Sequence, residues 1–411
     1  MKILLTSDWS IGNINGVVVS IMNLYNELKK DGHDVRILTL SKKDESYVDG
    51  DFYFVRSFGI KFYPDLRATF AINSRILKKL IEWKPDIVHS QCEFFTYYFA
   101  YKIAIESSAP LIHTYHTLYE YYTKYVIPSE TVGRLIVQNY MRVRLRDCDA
   151  IIAPTNKVKK SLENAKVYGK IKVIPTGIDL DKYNKNLPSE ELEDLRKSFN
   201  IDKNKKIILS LGRVAREKNI DLLLKYIKSS LSHRDDFVFM IVGSGPYIDE
   251  IKKLTKELDL ENKVIFTGLV KPEEVTKYYR LADIFACASK SETQGLTYIE
   301  ALANGLVEIC LKDDAIDGVI EDGYNGFIFE NEEDFSIKCQ KLLDDDSLRI
   351  KMGENAKKSS TKFSTTAFKD RVFLLYKDVL ENFNPNNKRG VTYMTHKIKV
   401  TGTVLMKKIL K

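Results

Sequence analysis

Short apolar runs alternate with longer amphipathic ones along most of the chain. In the first half, runs at Lys2–Thr6, Asp34–Leu40, Asp86–His89, Leu111–Thr114, Asp149–Ala153 and Lys172–Ile174 predict strands. Between them, apolar residues recur at helical spacing over Val17–Lys30, Ile72–Trp83, Phe95–Glu106 and Val132–Arg146. A second series of the same kind follows a polar, proline-containing stretch at Asn184–Asp202. Its strands read Lys206–Leu211, Phe237–Val242, Val264–Thr267, Asp283–Ala286 and Leu306–Leu311, each followed by a helical segment. Strand and helix in regular alternation predict parallel, doubly wound α/β sheets. Two such series in 411 residues predict two Rossmann-like domains facing across a cleft. The expected divisions are residues 1–180, residues 200–362, a helical segment 363–383 able to pack back on a domain, and a tail 384–411. No internal sequence repeat accompanies the repeated architecture.

Ligands of doubly wound sheets bind beyond the carboxyl ends of the strands, so the loops there carry the chemistry. The fullest of them runs from Ser289 to Gly305, behind the strand at Asp283–Ala286. Polar residues and Gly295 lead into a helix-forming stretch that Asn304-Gly305 closes. The first amides of such a helix, near Leu296 and Thr297, suit a phosphate. Glu292 in the loop and Glu300 in the helix bracket that position, so both can reach one elongated ligand. A phosphate-bearing ligand with hydroxyls at both ends, a nucleotide sugar, fits them.

Other strand ends add to this. Gly212-Arg213-Val214-Ala215-Arg216-Glu217-Lys218 follows Lys206–Leu211 and offers Arg213 and Lys218 to a diphosphate. Val242-Gly243-Ser244-Gly245-Pro246 suits a tight turn, with or without a base beside it. Gly16, at the first strand-to-helix turn, permits close approach of a phosphate. His116 lies beyond the strand at Leu111–Thr114, where an imidazole can bond phosphate or sugar hydroxyls and titrate near neutrality. His113, within that strand, is expected to be packed.

Composition narrows the classes. The sequence holds 44% hydrophobic and 29% charged residues and no apolar run of membrane-spanning length. It has no dinucleotide fingerprint and no P-loop. The N-terminus reads as a first strand rather than a signal peptide, and a cytoplasmic protein is the expectation. Five scattered cysteines are expected to be reduced thiols, with no metal-type spacing. Asp147-Cys148-Asp149 and Asp179-Leu180-Asp181 match an Asp-x-Asp pattern but read as caps and turns, so no metal is expected. The net charge of +8 is concentrated between Lys388 and Lys411, with seven Lys or Arg and no acidic residue. That tail suits an anionic surface. A nucleic-acid or protein partner is not expected.

Glu292 and Glu300, within Glu-Thr-Gln-Gly-Leu-Thr-Tyr-Ile-Glu-Ala-Leu-Ala, resemble the Glu-x7-Glu motif of retaining family-4 glycosyltransferases of the GT-B fold. The resemblance runs on through Asn15-Gly16-Val17, Ile174-Pro175-Thr176-Gly177-Ile178-Asp179, Gly212-Arg213 with Lys218, Thr267-Gly268 and Glu321-Asp322-Gly323-Tyr324-Asn325-Gly326-Phe327. It implies a C-terminal helix returning to the first domain. It also implies a nucleotide-sugar donor, most often UDP-linked, and no cofactor. On it, Glu300 would hold the ribose and Glu292 the donor sugar. Arg213 and Lys218 would meet the diphosphate, assisted by the backbone at Leu296 and Thr297, with Gly16 beneath the phosphates and His116 near the transferred sugar.

Glu292–Tyr298 and His113–Thr117 look most like the branch that glucosylates diacylglycerol. A lipid acceptor and peripheral attachment to the inner membrane face follow as expectations. Aromatics at Phe94–Phe99 and Tyr119–Tyr125 and the basic residues of Tyr140–Arg146 agree with them. Polyprenyl- or protein-linked glycans and phosphatidylinositol are the alternative acceptors, and a non-catalytic partner of an active transferase is the alternative of another class. One departure stands out. After Gly305 the family usually continues with a proline and small apolar residues. Here the chain reads Leu306-Val307-Glu308-Ile309-Cys310, with a glutamate inside an apolar strand.

Overall fold

The computed structural model describes residues 1–10, 15–60, 63–69, 71, 74–121, 129–184 and 187–385. Sixteen strands form three sheets among these residues. In the first half they are β1 (Lys2–Ser7), β2 (Asp34–Leu40), β3 (Tyr47–Asp49), β4 (Phe52–Val55), β5 (Phe58–Ile60), β6 (Tyr63–Ala68), β7 (Ile87–Ser90), β8 (Leu111–Thr114), β9 (Ala150–Ala153) and β10 (Ile171–Val173). The second half adds β11 (Lys206–Leu211), β12 (Phe237–Val242), β13 (Val264–Gly268), β14 (Ile284–Cys287), β15 (Val307–Leu311) and β16 (Gly326–Phe329).

The first sheet has the order β10-β9-β8-β7-β1-β2-β4-β3 and is parallel except where β3 turns back on β4. Strands β1, β7, β8 and β9 are buried almost throughout, as expected where helices cover both faces. The second sheet has the order β13-β12-β11-β14-β15-β16 and is parallel throughout. Its first strand, β11, lies between β12 and β14, so the strand order reverses there. The loops leaving β11 and β14 diverge at that point and open a crevice.

Local chemistry sets the helices. Asn15 Oδ1 accepts from Val18 N and starts the helix Gly16–Lys30. Ser364 Oγ accepts from Ala367 N and starts Thr365–Asn382. The latter follows the second sheet in sequence but packs on the first. Phe368, Val372, Leu375, Tyr376 and Val379 share one core with Ile3, Leu5, Ile21 and Ile152. The Tyr376 hydroxyl lies 2.6 Å from His89 Nδ1 inside that core. The expected fold class is thus what the chain adopts, including the returning helix. The tail from residue 386 onward lies outside the described residues.

Glu308 occupies the middle of β15, opposite Phe285 of β14 and Gly326 of β16. Its side chain is fully buried. Oε2 accepts from Cys310 Sγ at 3.5 Å, and Oε1 has no hydrogen-bond partner. Burial pushes its pKa well above the usual carboxylate range. The strand therefore tolerates the glutamate as a neutral acid, without an ion pair or an exit to solvent.

Candidate functional site

The two sheets turn their carboxyl ends toward one cleft of about 350 Å³, within the range of small-ligand pockets. The first half lines it with Gly16, His116, Pro154 and Thr176. The second half contributes Gly212, Arg213 and Lys218 from the loop after β11, and Glu292 to Thr297 from the loop after β14.

Asn219, in left-handed conformation, ends the single helical turn Arg216–Lys218. That turn brings the Lys218 ammonium onto Glu292 Oε1 as an ion pair. Burial opposes ionisation of Glu292, but Lys218 and the Ser289 hydroxyl outweigh it and hold its pKa below the ordinary value. Glu292 is therefore a carboxylate at neutral pH. Arg213 Nη2 lies 2.7 Å from Glu217 Oε1, and Glu217 is buried while Arg213 remains half exposed. The guanidinium is held at the mouth of the cleft with part of its surface open to a ligand.

Gly295 opens the helix Leu296–Ala303 with φ +72°, and a Cβ there would lie 2.4 Å from the Tyr298 ring. Only glycine makes this turn without strain. The turn sets Leu296 and Thr297 on the cleft wall, in the first turn, where amides have no intrahelical acceptor. Glu300, half-buried, lies one turn behind the cleft-lining Leu296 and Thr297. Its Oε2 accepts from the Tyr279 hydroxyl at 2.9 Å, and Tyr183 is also hydrogen-bonded to it. Burial lifts the Glu300 pKa, against the lowering from these two phenols.

Two expectations change. His116 lines the cleft, and its Nε2 lies 2.8 Å from Gln91 Oε1. Burial, with a smaller contribution from His113, lowers its pKa to about 3. It is a neutral imidazole and does not titrate near neutrality. Gly245 does not line the cleft. A Cβ there would lie 2.3 Å from the Val214 carbonyl oxygen, so glycine serves the packing of one loop on another. Gly16 is in place, but a Cβ there would meet Leu296 Cδ1 at an ordinary 3.5 Å, so close approach does not demand glycine.

The other residues singled out are accounted for locally. His113 is fully buried, with Nε2 3.3 Å from Glu93 Oε1. Asp179 accepts from Asp181 N, the turn role expected of it, whereas Asp149 accepts from Leu111 N, 38 residues away at the start of the neighbouring strand, rather than capping a helix. All five cysteines are free, with Cys92, Cys310 and Cys339 buried.

Several residues of the site have no role assigned by the sequence. Gln294 bonds both backbone groups of Thr176, accepting from its N–H at 2.8 Å and donating to its carbonyl at 2.9 Å. Thr155 Oγ1 donates to Thr293 O, and Lys157 Nζ donates to Lys290 O, both at 2.7 Å. Gln294 lies inside the Ser289–Gly305 loop, whose sequence suits a phosphate. Thr155 and Lys157 gave no signal, because their partners are more than 130 residues away.

Residues 14–182 match Glycosyltransferase Family 4, and residues 191–359 match Glycosyl transferases group 1. Alpha-monoglucosyldiacylglycerol synthase of Streptococcus pneumoniae is 35% identical over 82% of this chain and 77% of its own length. The chain belongs to the family-4 glycosyltransferases. The enzyme of the same name from Acholeplasma laidlawii is 29% identical over 95% of this chain and 99% of its own length. Among solved structures, HepE of Anabaena in complex with UDP and glucose superposes with a TM-score of 0.71 at 17% identity, covering 92% of this chain and all of HepE. Sucrose-phosphate synthase from Thermosynechococcus elongatus gives 0.73 at 19% identity, covering 93% of this chain and all of its own. The fold of this glycosyltransferase is therefore GT-B. Among its described residues, no helix is long and apolar enough to cross a membrane.

Proposed function

We propose that this glycosyltransferase moves glucose from UDP-glucose to diacylglycerol with retention of configuration, at the cytoplasmic face of a membrane. The donor half rests on the meeting of Arg213, Lys218 and Glu292 where the strand order of the second sheet reverses. The diphosphate would lie against Arg213, Lys218 and the amides of Leu296 and Thr297, with Glu292 on the sugar and Glu300 toward the ribose. As the acceptor hydroxyl forms its bond to C1, the bond from C1 to the leaving phosphate breaks. The acceptor proton passes to an oxygen of that phosphate, on the same face. The protein's part is to hold the departing charge and to orient the acceptor. Neutral His116 would bond a hydroxyl near the transferred sugar. With the two cations meeting the diphosphate, this reaction needs no cofactor or metal.

The two relatives named as alpha-monoglucosyldiacylglycerol synthases support the acceptor. So does the helix Glu130–Leu145, which buries Gly133, Met141 and Leu145 on one side. On the other it exposes Val132, Leu135 and Ile136 at helical spacing, with Leu135 at 60%. Arg142, hydrogen-bonded to Asn139, lies beside that stripe, where a cation suits an anionic lipid surface, while Arg134 is paired with Glu130. The test is product analysis after incubation with UDP-glucose and vesicles of diacylglycerol in anionic phospholipid. The expected product is an α-glucosyl diacylglycerol with release of UDP. Turnover with another acceptor and none with diacylglycerol would overturn the acceptor, and a β-linked product would overturn retention.

A further inference from the structure

We propose that Lys157 is a positioning residue for the donor sugar, an assignment that rests on the nucleotide-sugar reading above. It belongs to the first domain, at the start of the helix Asn156–Asn164 that follows β9. Its ammonium crosses to the second domain and donates to the Lys290 carbonyl at 2.7 Å and to both oxygens of Asp313 at 2.7 and 2.8 Å. The Lys157 and Asp313 side chains are each only 11% exposed, so the pair is largely shielded from water. Asp313 is itself fixed, because Oδ1 accepts from Ala315 N at 2.8 Å.

The carbonyl that Lys157 holds lies two residues before Glu292. The next carbonyl tied to the same helix, Thr293 O, lies one residue after it and accepts from Thr155 Oγ1. Glu292 is thus bracketed by two anchors from the first domain, while Lys218 holds its carboxylate from the second. The Lys157 charge also helps keep Glu292 ionised. The donor site is built by one domain and set in place by the other. Losing Lys157 frees the Lys290 carbonyl and leaves a shielded Asp313 carboxylate without its cation, so the loop carrying Glu292 shifts.

A second pair joins the same two segments and serves as the control. Lys160 meets Asp314 at 2.9 Å, but both are more than half exposed and neither touches the Glu292 loop. A merely structural strut would weaken UDP-glucose and UDP binding alike. Positioning makes them differ, and makes the effect specific to the sugar that Glu292 contacts.

The experiment is calorimetric titration of the full chain and of K157M, K157R and K160M with UDP-glucose and with UDP, without acceptor. In K157M, affinity for UDP-glucose is expected to fall tenfold or more while affinity for UDP changes less than threefold. K157R, which can still span both acceptors, is expected to recover most of the loss, and K160M to stay within twofold of the natural chain for both ligands. Equal weakening of both ligands in K157M would reduce Lys157 to a strut and overturn the proposal, as would unchanged UDP-glucose binding. Failure of the natural chain to bind either nucleotide would overturn the nucleotide-sugar reading, and the positioning role with it.

Discussion

Glu308 and His116 carry the two side chains whose ionisation the fold changes most tellingly. Glu308 is a fully buried acid held neutral, so its pKa in the folded chain stands well above the ordinary 4.5. The folded state then binds a proton that the unfolded state releases above that value. Its contribution to stability is complete below about pH 4.5 and is lost as pH rises toward the folded pKa. Glu308→Gln keeps the shape without the acid. Its stability advantage over the natural chain, from denaturant melts, should grow between pH 5 and pH 8. A constant difference would mean Glu308 is not held neutral. His116, with its pKa at about 3, should add no limb to the pH–rate profile between pH 5 and 8. His116→Ala should lower kcat more than donor affinity; equal loss of both would remove it from the neighbourhood of the transferred sugar. Glu300→Ala is expected to raise the donor KM, because the ribose would lose a carboxylate held by Tyr279. Unchanged donor kinetics would dismiss that role.

The elements were legible in proportion to how local their causes are. The apolar runs of β1, β11 and β12, six residues each, declare themselves, because parallel strands buried on both faces need near-continuous apolar sequence. β3, β5 and β16 do not: β3 ends on Asp49, Gly59 interrupts β5, and β16 begins on Gly326. β4 and β6 were lost in the same turn-rich stretch after β2. The loop from Ser289 to Gly305 was legible because its chemistry lies within one segment. What holds that loop was not: Thr155, Lys157 and Thr176 reach it from another domain. The pKa of His116 was equally hidden, because enclosure by several loops determines it. At this scale the helix Glu130–Leu145 offers a test of membrane docking. Its buried side is tied down by Tyr140 and Arg144, which both donate to Glu93 O at 2.8 Å, so its outer stripe can be altered without loosening it. Leu135→Asp with Ile136→Ser should reduce sedimentation with anionic vesicles severalfold while UDP binding is kept. Full retention of vesicle binding would exclude this face.

At the scale of the molecule, the last helix belongs to the first domain although the second intervenes in the chain. Thr365–Asn382 fills the face of the first sheet made by β1, β8 and β9, and Ser364 begins it directly behind the second domain's last helix, Asp346–Ser360. Ile178 N donates to Phe363 O at 2.8 Å and Thr365 N to Ile178 O at 3.1 Å, so both chain crossings run side by side. The first domain is therefore complete only once the whole second domain has been made. Leu375→Ala, which removes a buried side chain from this shared core, should cost roughly 2–5 kcal/mol. The loss should be confined to the first domain. Native-state hydrogen exchange is expected to accelerate in β1, β8 and β9 and to stay unchanged in β11 and β12, whose core contains no residue of that helix. Equal acceleration in both sheets would instead mean that the two domains unfold as one cooperative unit.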